Sequence, residues 1–202
     1  MIKLVPNLLT LARLALTVVF LIMILYSPRL EQRGPFLDWA FVLFLVAGIT
    51  DVVDGHIARR FDATSKFGRI VDPLADKVLV CGAFICFALI GEPKLFDLTP
   101  GVLKAIHWSV AGVLILREAY VTVIRHWAES RNINFAATTS GKIKMFLQSF
   151  AIGTVMVKMA HVPDAQWAYW FTAVTFALMV GSTVLSGIRA TQRLPQSAQP
   201  PA

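Results

Sequence analysis

Asp51-Val-Val-Asp54-Gly55-His-Ile-Ala58-Arg59, followed by Gly68-Arg-Ile-Val-Asp72-Pro-Leu-Ala-Asp76, places four carboxylates in and beside apolar segments. On a helix advancing about 100° per residue, Asp51 and Asp54 fall within roughly 60° of one face, and Asp72 and Asp76 within roughly 40°. An ionised carboxylate near a bilayer centre costs roughly 2.5–3.5 kcal/mol, so four left bare would cost on the order of 10 kcal/mol. Divalent cations held between two helix faces offset that cost. An all-oxygen donor set favours Mg²⁺, Mn²⁺ or Ca²⁺.

The surrounding chain is apolar enough to make these acids intramembrane. It has 202 residues, 56% hydrophobic and 15% charged, with a mean hydropathy of +0.66. Such a composition excludes an ordinary soluble domain, and the length excludes several membrane domains. A net charge of +7 and a pI near 9.8 would suit nucleic acid. The cations, however, cluster between apolar runs, which is the pattern of membrane topology, and no nucleic-acid partner is expected. Cys81 and Cys86 lie in an apolar run without metal-type spacing and read as small buried hydrophobes.

Six stretches are long enough to cross roughly 30 Å of hydrocarbon as helices, near 8–26, 36–58, 70–90, 102–124, 145–159 and 167–188. The fifth is short for a span. The first reads as an uncleaved anchor rather than a signal peptide: its apolar run is long, Arg13 sits within it, and no small-residue cleavage site precedes Ser27-Pro28. The chain thus reads as an all-α, six-span membrane bundle over 1–194 with a disordered tail over 195–202. Lys3 and Arg13, then Arg59, Arg60, Lys66 and Arg69, then Arg125, Arg131, Lys142 and Lys144, and finally Arg189 and Arg193 mark one side. The alternate connections hold only Arg29, Arg33, Lys94, Lys104 and Lys158. By the positive-inside rule both termini and the site-bearing connection face the cytoplasm. Five tryptophans, Trp39, Trp108, Trp127, Trp167 and Trp170, lie mostly near span ends as interfacial anchors, and His107, His126 and His161 also look interfacial.

Asp51 and Asp54 approach the end of the second span and Asp72 and Asp76 open the third, so the two helices read as antiparallel neighbours whose acidic faces meet. Two metals held there would clamp a diphosphate and stabilise charge during an in-line displacement. Gly55 and Gly68 allow close approach to the backbone. Arg59, following the Asp54-Gly55 turn, offers a fork of donors for phosphate oxygens. Pro73 falls early in the third span, where a missing N–H is tolerated or gives a mild kink.

Asp51, Asp54, Gly55, Ala58, Arg59, Gly68, Asp72 and Asp76 fit D-x2-D-G-x2-A-R-x8-G-x3-D-x3-D at every fixed position. In this the chain resembles the CDP-alcohol phosphotransferase family. The resemblance implies a six-helix membrane enzyme, a homodimer, that transfers a phosphoalcohol from a CDP-linked donor to a hydroxyl and releases CMP. It implies two divalent cations, Mg²⁺ or Mn²⁺, with Asp51, Asp54 and Asp72 as ligands and Asp76 as general base. Spacing leaves open whether Asp76 also ligates metal. The donor's CDP moiety would meet Asp54, Gly55, Ala58, Arg59 and Gly68. Asn7 and Thr10 either cap the first helix or line the cytidine pocket.

Further stretches are similar to the branch that uses CDP-diacylglycerol as donor and sn-glycerol 3-phosphate as acceptor, in a bacterial cytoplasmic membrane. They are Pro6-Asn7-Leu-Leu-Thr10-Leu-Ala-Arg13, Asp72-Pro-Leu-Ala-Asp76-Lys77, Arg117-Glu118 with Arg125, and Ser140-Gly141-Lys142-Ile-Lys144. A phosphomonoester acceptor needs cations beyond those serving the donor, and Arg117, Arg125, Lys142 and Lys144 are the candidates. Read without the family, Arg125, Lys142 and Lys144 are ordinary positive-inside flanks, and Glu118 neutralises a neighbouring cation. Sibling branches take phosphatidylglycerol, as in cardiolipin synthesis, or an inositol phosphate. A cation-coupled transporter would explain the acids but not Gly55, Ala58, Arg59 and Gly68, and no repeated half is visible.

Overall fold

A computed structural model describes the backbone of residues 4–60, 66–131 and 139–197, and the side chains of 11–50, 74–128, 130–131 and 140–192. The chain is all-helical there: α1 (Leu4–Tyr26), a 3₁₀ turn (Ser27–Arg29), α2 (Arg33–Arg60), α3 (Lys66–Ile90), α4 (Pro100–Ser130), α5 (Thr139–His161) and α6 (Gln166–Ser197). Five of the six α-helices carry stretches long and apolar enough to cross a membrane among the described residues: Leu11–Arg29 (reaching through the 3₁₀ turn), Arg33–Thr50, Pro100–Ala128, Ser140–His161 and Gln166–Gln192. Large apolar side chains point outward along them, among them Leu116 at 71% and Phe146 at 68% exposure. Surfaces of this kind belong against lipid rather than water.

Local chemistry sets the helix ends. Pro28 follows α1 in the 3₁₀ turn, where Ser27 Oγ donates to Ile24 O at 2.8 Å. α3 stops at a left-handed Gly91 with φ +73°, and Glu92 N donates back to Phe87 O at 3.0 Å, which closes the helix end on its own carbonyls. Pro100 opens α4, where its missing N–H is not required. Lys158 is buried and donates to Pro163 O at 2.7 Å, so it caps the end of α5 and does not serve as a loop cation. Within the spans, hydroxyls bond to their own helix: Thr172 to Ala168 O, Thr175 to Phe171 O and Ser186 to Thr183 O, each at 2.8 Å.

The structure comprises two compact units, Met1–Pro93 with Val155–Pro163, and Lys94–Thr154 with Asp164–Ala202. In the first, α1 packs on both α2 and α3. Phe20 lies against Phe44 with ring centroids 5.4 Å apart, and Gly82 of α3 faces Leu21 so closely that an added Cβ would lie 2.7 Å from its Cδ1. In the second, α4 packs on α6, and Phe150 of α5 meets Phe171 of α6 edge-on at 6.1 Å. α6 runs through Pro195 to Ser197, into the stretch expected to be disordered. Cys86 is buried with Sγ 3.8 Å from Leu21 O, and Cys81 is half-buried. Trp39, Trp108, Trp127, Trp167 and Trp170 all face outward. His107 is buried, unlike His126 and His161, which are exposed.

Candidate active site

Both halves of the aspartate motif lie on helix. Asp51 and Asp54 are on α2, which continues without a break through Gly55 and Ala58 to Arg60. The turn expected at Asp54-Gly55 is therefore absent: a lone glycine costs only about 1 kcal/mol in a helix interior, which a helix of 28 residues absorbs. Gly68 and Asp72 are on α3, which starts at Lys66, before the expected span, and runs through Pro73. The side chains of Asp51, Asp54, Gly55, Ala58, Arg59, Gly68 and Asp72 lie outside the described residues. Asp76 is described and half-buried, and Lys77 beside it is half-buried too. Among the described residues no three His, Cys, Asp or Glu side chains cluster. Helical backbone at 51–54 and 72–76 puts each acidic pair at positions that share a helix face, and an all-carboxylate set of this kind would suit Mg²⁺ or Mn²⁺.

Asn7 and Thr10 lie inside α1, which begins at Leu4, so neither occupies its N-cap position; their side chains are outside the described residues.

The four candidate acceptor cations separate. Arg117 and Lys144 meet on one carboxylate: Glu118 Oε1 accepts from Arg117 Nη1 at 3.0 Å and also from Lys144 Nζ. Arg125 and Lys142 are exposed. Lys142 and Lys144 are two residues apart on a helix, hence roughly 200° around it, so burial of one turns the other outward. One residue, Gln148, was missed in the sequence, and the burial of another, Arg13, was not expected. Gln148 is buried one turn beyond Lys144, and Arg13, counted as a flank, is buried too. Each could have been suspected from a polar residue recurring on the inward stripe of an apolar helix.

The chain matches the CDP-alcohol phosphatidyltransferase family over residues 3–186, and it belongs to that family. Among its relatives is the CDP-diacylglycerol–glycerol-3-phosphate 3-phosphatidyltransferase of Bacillus subtilis (strain 168), 35% identical over 189 residues, covering 87% of this chain and 90% of that protein. The proteins of the same name from Rickettsia bellii (strain RML369-C) and Escherichia coli (strain K12) are 33% and 31% identical. The first alignment covers 75% of this chain and 74% of the relative, the second 92% and 95%.

Proposed function

We propose that this protein transfers the phosphatidyl group of CDP-diacylglycerol to sn-glycerol 3-phosphate, giving phosphatidylglycerophosphate and CMP. The observation that carries this reading is the coincidence of the full eight-position aspartate motif with similarity along most of the chain to proteins named for that reaction. The part-buried Arg117–Glu118–Lys144 cluster favours a phosphorylated acceptor over phosphatidylglycerol, because such an acceptor brings a compact dianion to meet the cations.

In this reading Asp51, Asp54 and Asp72 hold two divalent cations, Mg²⁺ or Mn²⁺. Bound there, such cations would supply positive charge to offset that of the diphosphate and of CMP as it leaves. Arg59 binds the donor diphosphate, and Gly55, Ala58 and Gly68 leave room for the CDP moiety beside the backbone, with Asn7 and Thr10 lining the cytidine. Asp76 takes the proton of the acceptor hydroxyl as its oxygen forms a bond to the donor's β-phosphorus; the bond from that phosphorus to the bridging oxygen breaks and CMP leaves. Arg117 and Lys144 receive the acceptor phosphate, and Arg125 and Lys142 add positive potential on the same route. The six helices span a bacterial cytoplasmic membrane with both termini and the site on the cytoplasmic side, and the protein works as a homodimer.

The test is acceptor choice. Purified protein with CDP-diacylglycerol and Mg²⁺ or Mn²⁺ should release CMP with glycerol 3-phosphate, and far more slowly with glycerol, phosphatidylglycerol or inositol phosphate. Chelation should stop release and added metal restore it. Equal rates with glycerol would rule out the cationic acceptor pocket.

A further inference from the structure

We propose that Glu118 is a positioning residue for the acceptor phosphate: its carboxylate holds Arg117 of α4 and Lys144 of α5 as a preset cationic pair. The inference rests on the reading that the protein transfers to glycerol 3-phosphate.

The cluster has the wrong charge for a purely structural ion pair. The side chains of Arg117, Glu118 and Lys144 are 12%, 13% and 7% exposed, and among the described residues they bring two positive charges to one negative. A surplus charge in a low-dielectric interior is costly, so a group built only for stability would be neutral. Donors are in surplus as well. Guanidinium carries five N–H and ammonium three, while Glu118 Oε1 takes one bond from each. Arg117 Nε is buried without a hydrogen-bond partner among the described residues, and so is Nε2 of Gln148, which shares the Lys144 face of α5 one turn on. Excess positive charge beside buried, unspent donors fits an oxygen-rich dianion such as a phosphomonoester.

Glu118 gives this pair its geometry. Left alone, the flexible Lys144 ammonium would be repelled by the guanidinium. A shared oxygen keeps both within a hydrogen bond of one atom, and Gly187 of α6 lies against the Arg117 stem, an added Cβ there reaching 3.5 Å from its Cγ. Positioning and mere neutralisation predict opposite signs. If the carboxylate only neutralised, Glu118→Gln would leave two uncompensated cations and lower the KM for glycerol 3-phosphate. As a positioning residue, its loss should raise that KM about tenfold or more, with the KM for CDP-diacylglycerol within about twofold of wild type. Glu118→Asp keeps the charge but shortens its reach, and should give a smaller rise in the same acceptor constant. The penalty of Glu118→Gln should shrink when Lys144→Met is already present, since the two act through one contact. Steady-state CMP release by the full-length enzyme in mixed micelles reads all of these. No release by the wild type with glycerol 3-phosphate would overturn the parent reading. A normal wild type with acceptor KM unchanged or lowered in both variants would overturn the positioning role alone.

Discussion

In the proposed mechanism Asp76 is the motif carboxylate whose duty separates from its neighbours'. It lies one helical turn past Asp72 on α3 and is half-buried, so it shares the acidic face while sitting farther along the helix. Asp51→Asn, Asp54→Asn and Asp72→Asn should each lower transfer by about a hundredfold or more and weaken metal binding, with the protein still inserted and folded. Asp76→Asn should lower kcat, flatten the acidic limb of the pH–rate profile and leave metal affinity near wild type. Calorimetric metal titration alongside single-turnover rates decides it: a loss of metal affinity in Asp76→Asn equal to that in Asp72→Asn would make Asp76 a ligand. The motif itself was legible from the residues because the spacing within each acidic pair follows helix periodicity. The fates of Lys142 and Lys144 were not. With α5 expected to begin near 145, both fell in a loop, where periodicity says nothing; the helix begins at Thr139, and its pitch buries one and exposes the other.

Helix ends rather than helix existence escaped the sequence reading at the level of elements. Apolar length locates a span, but polar residues that bury against partners, such as Ser140 and Lys144, look like loop until those partners are known. The ends that were legible have local chemistry behind them, as at Ser27-Pro28 and Gly91. Packing between elements was not legible, and Gly82 is its clearest instance. Its contact with Leu21 joins α3 to α1, and the atom met is the end of a flexible side chain. Gly82→Ala should therefore be close to neutral, the helix-propensity gain offsetting a small shift of Leu21. Gly82→Leu should destabilise by about 1–3 kcal/mol through overpacking, and Leu21→Ala should recover part of that loss. Thermal unfolding in detergent measures all three; an unchanged Tm in Gly82→Leu would contradict the close α1–α3 contact.

For the whole molecule, the arrangement of Lys and Arg sets which side of the membrane the chemistry faces. In a Cys81→Ala, Cys86→Ala background, a cysteine replacing Arg193 should react with a membrane-impermeant maleimide only in inverted vesicles, and one replacing Lys94 only in right-side-out vesicles. Labelling of both from the same side would break the six-span topology. The roles of Lys158 and Arg13, both buried, were hidden from this count because a cation's sequence position does not reveal whether it meets lipid headgroups or a carbonyl. The most direct measurement of the reaction itself is mass analysis of the lipid product formed by purified protein from CDP-diacylglycerol and isotopically labelled glycerol 3-phosphate with Mg²⁺ or Mn²⁺. Labelled phosphatidylglycerophosphate should form in one-to-one amount with CMP; CMP release without label in the lipid, or no release at all, would contradict transfer to glycerol 3-phosphate.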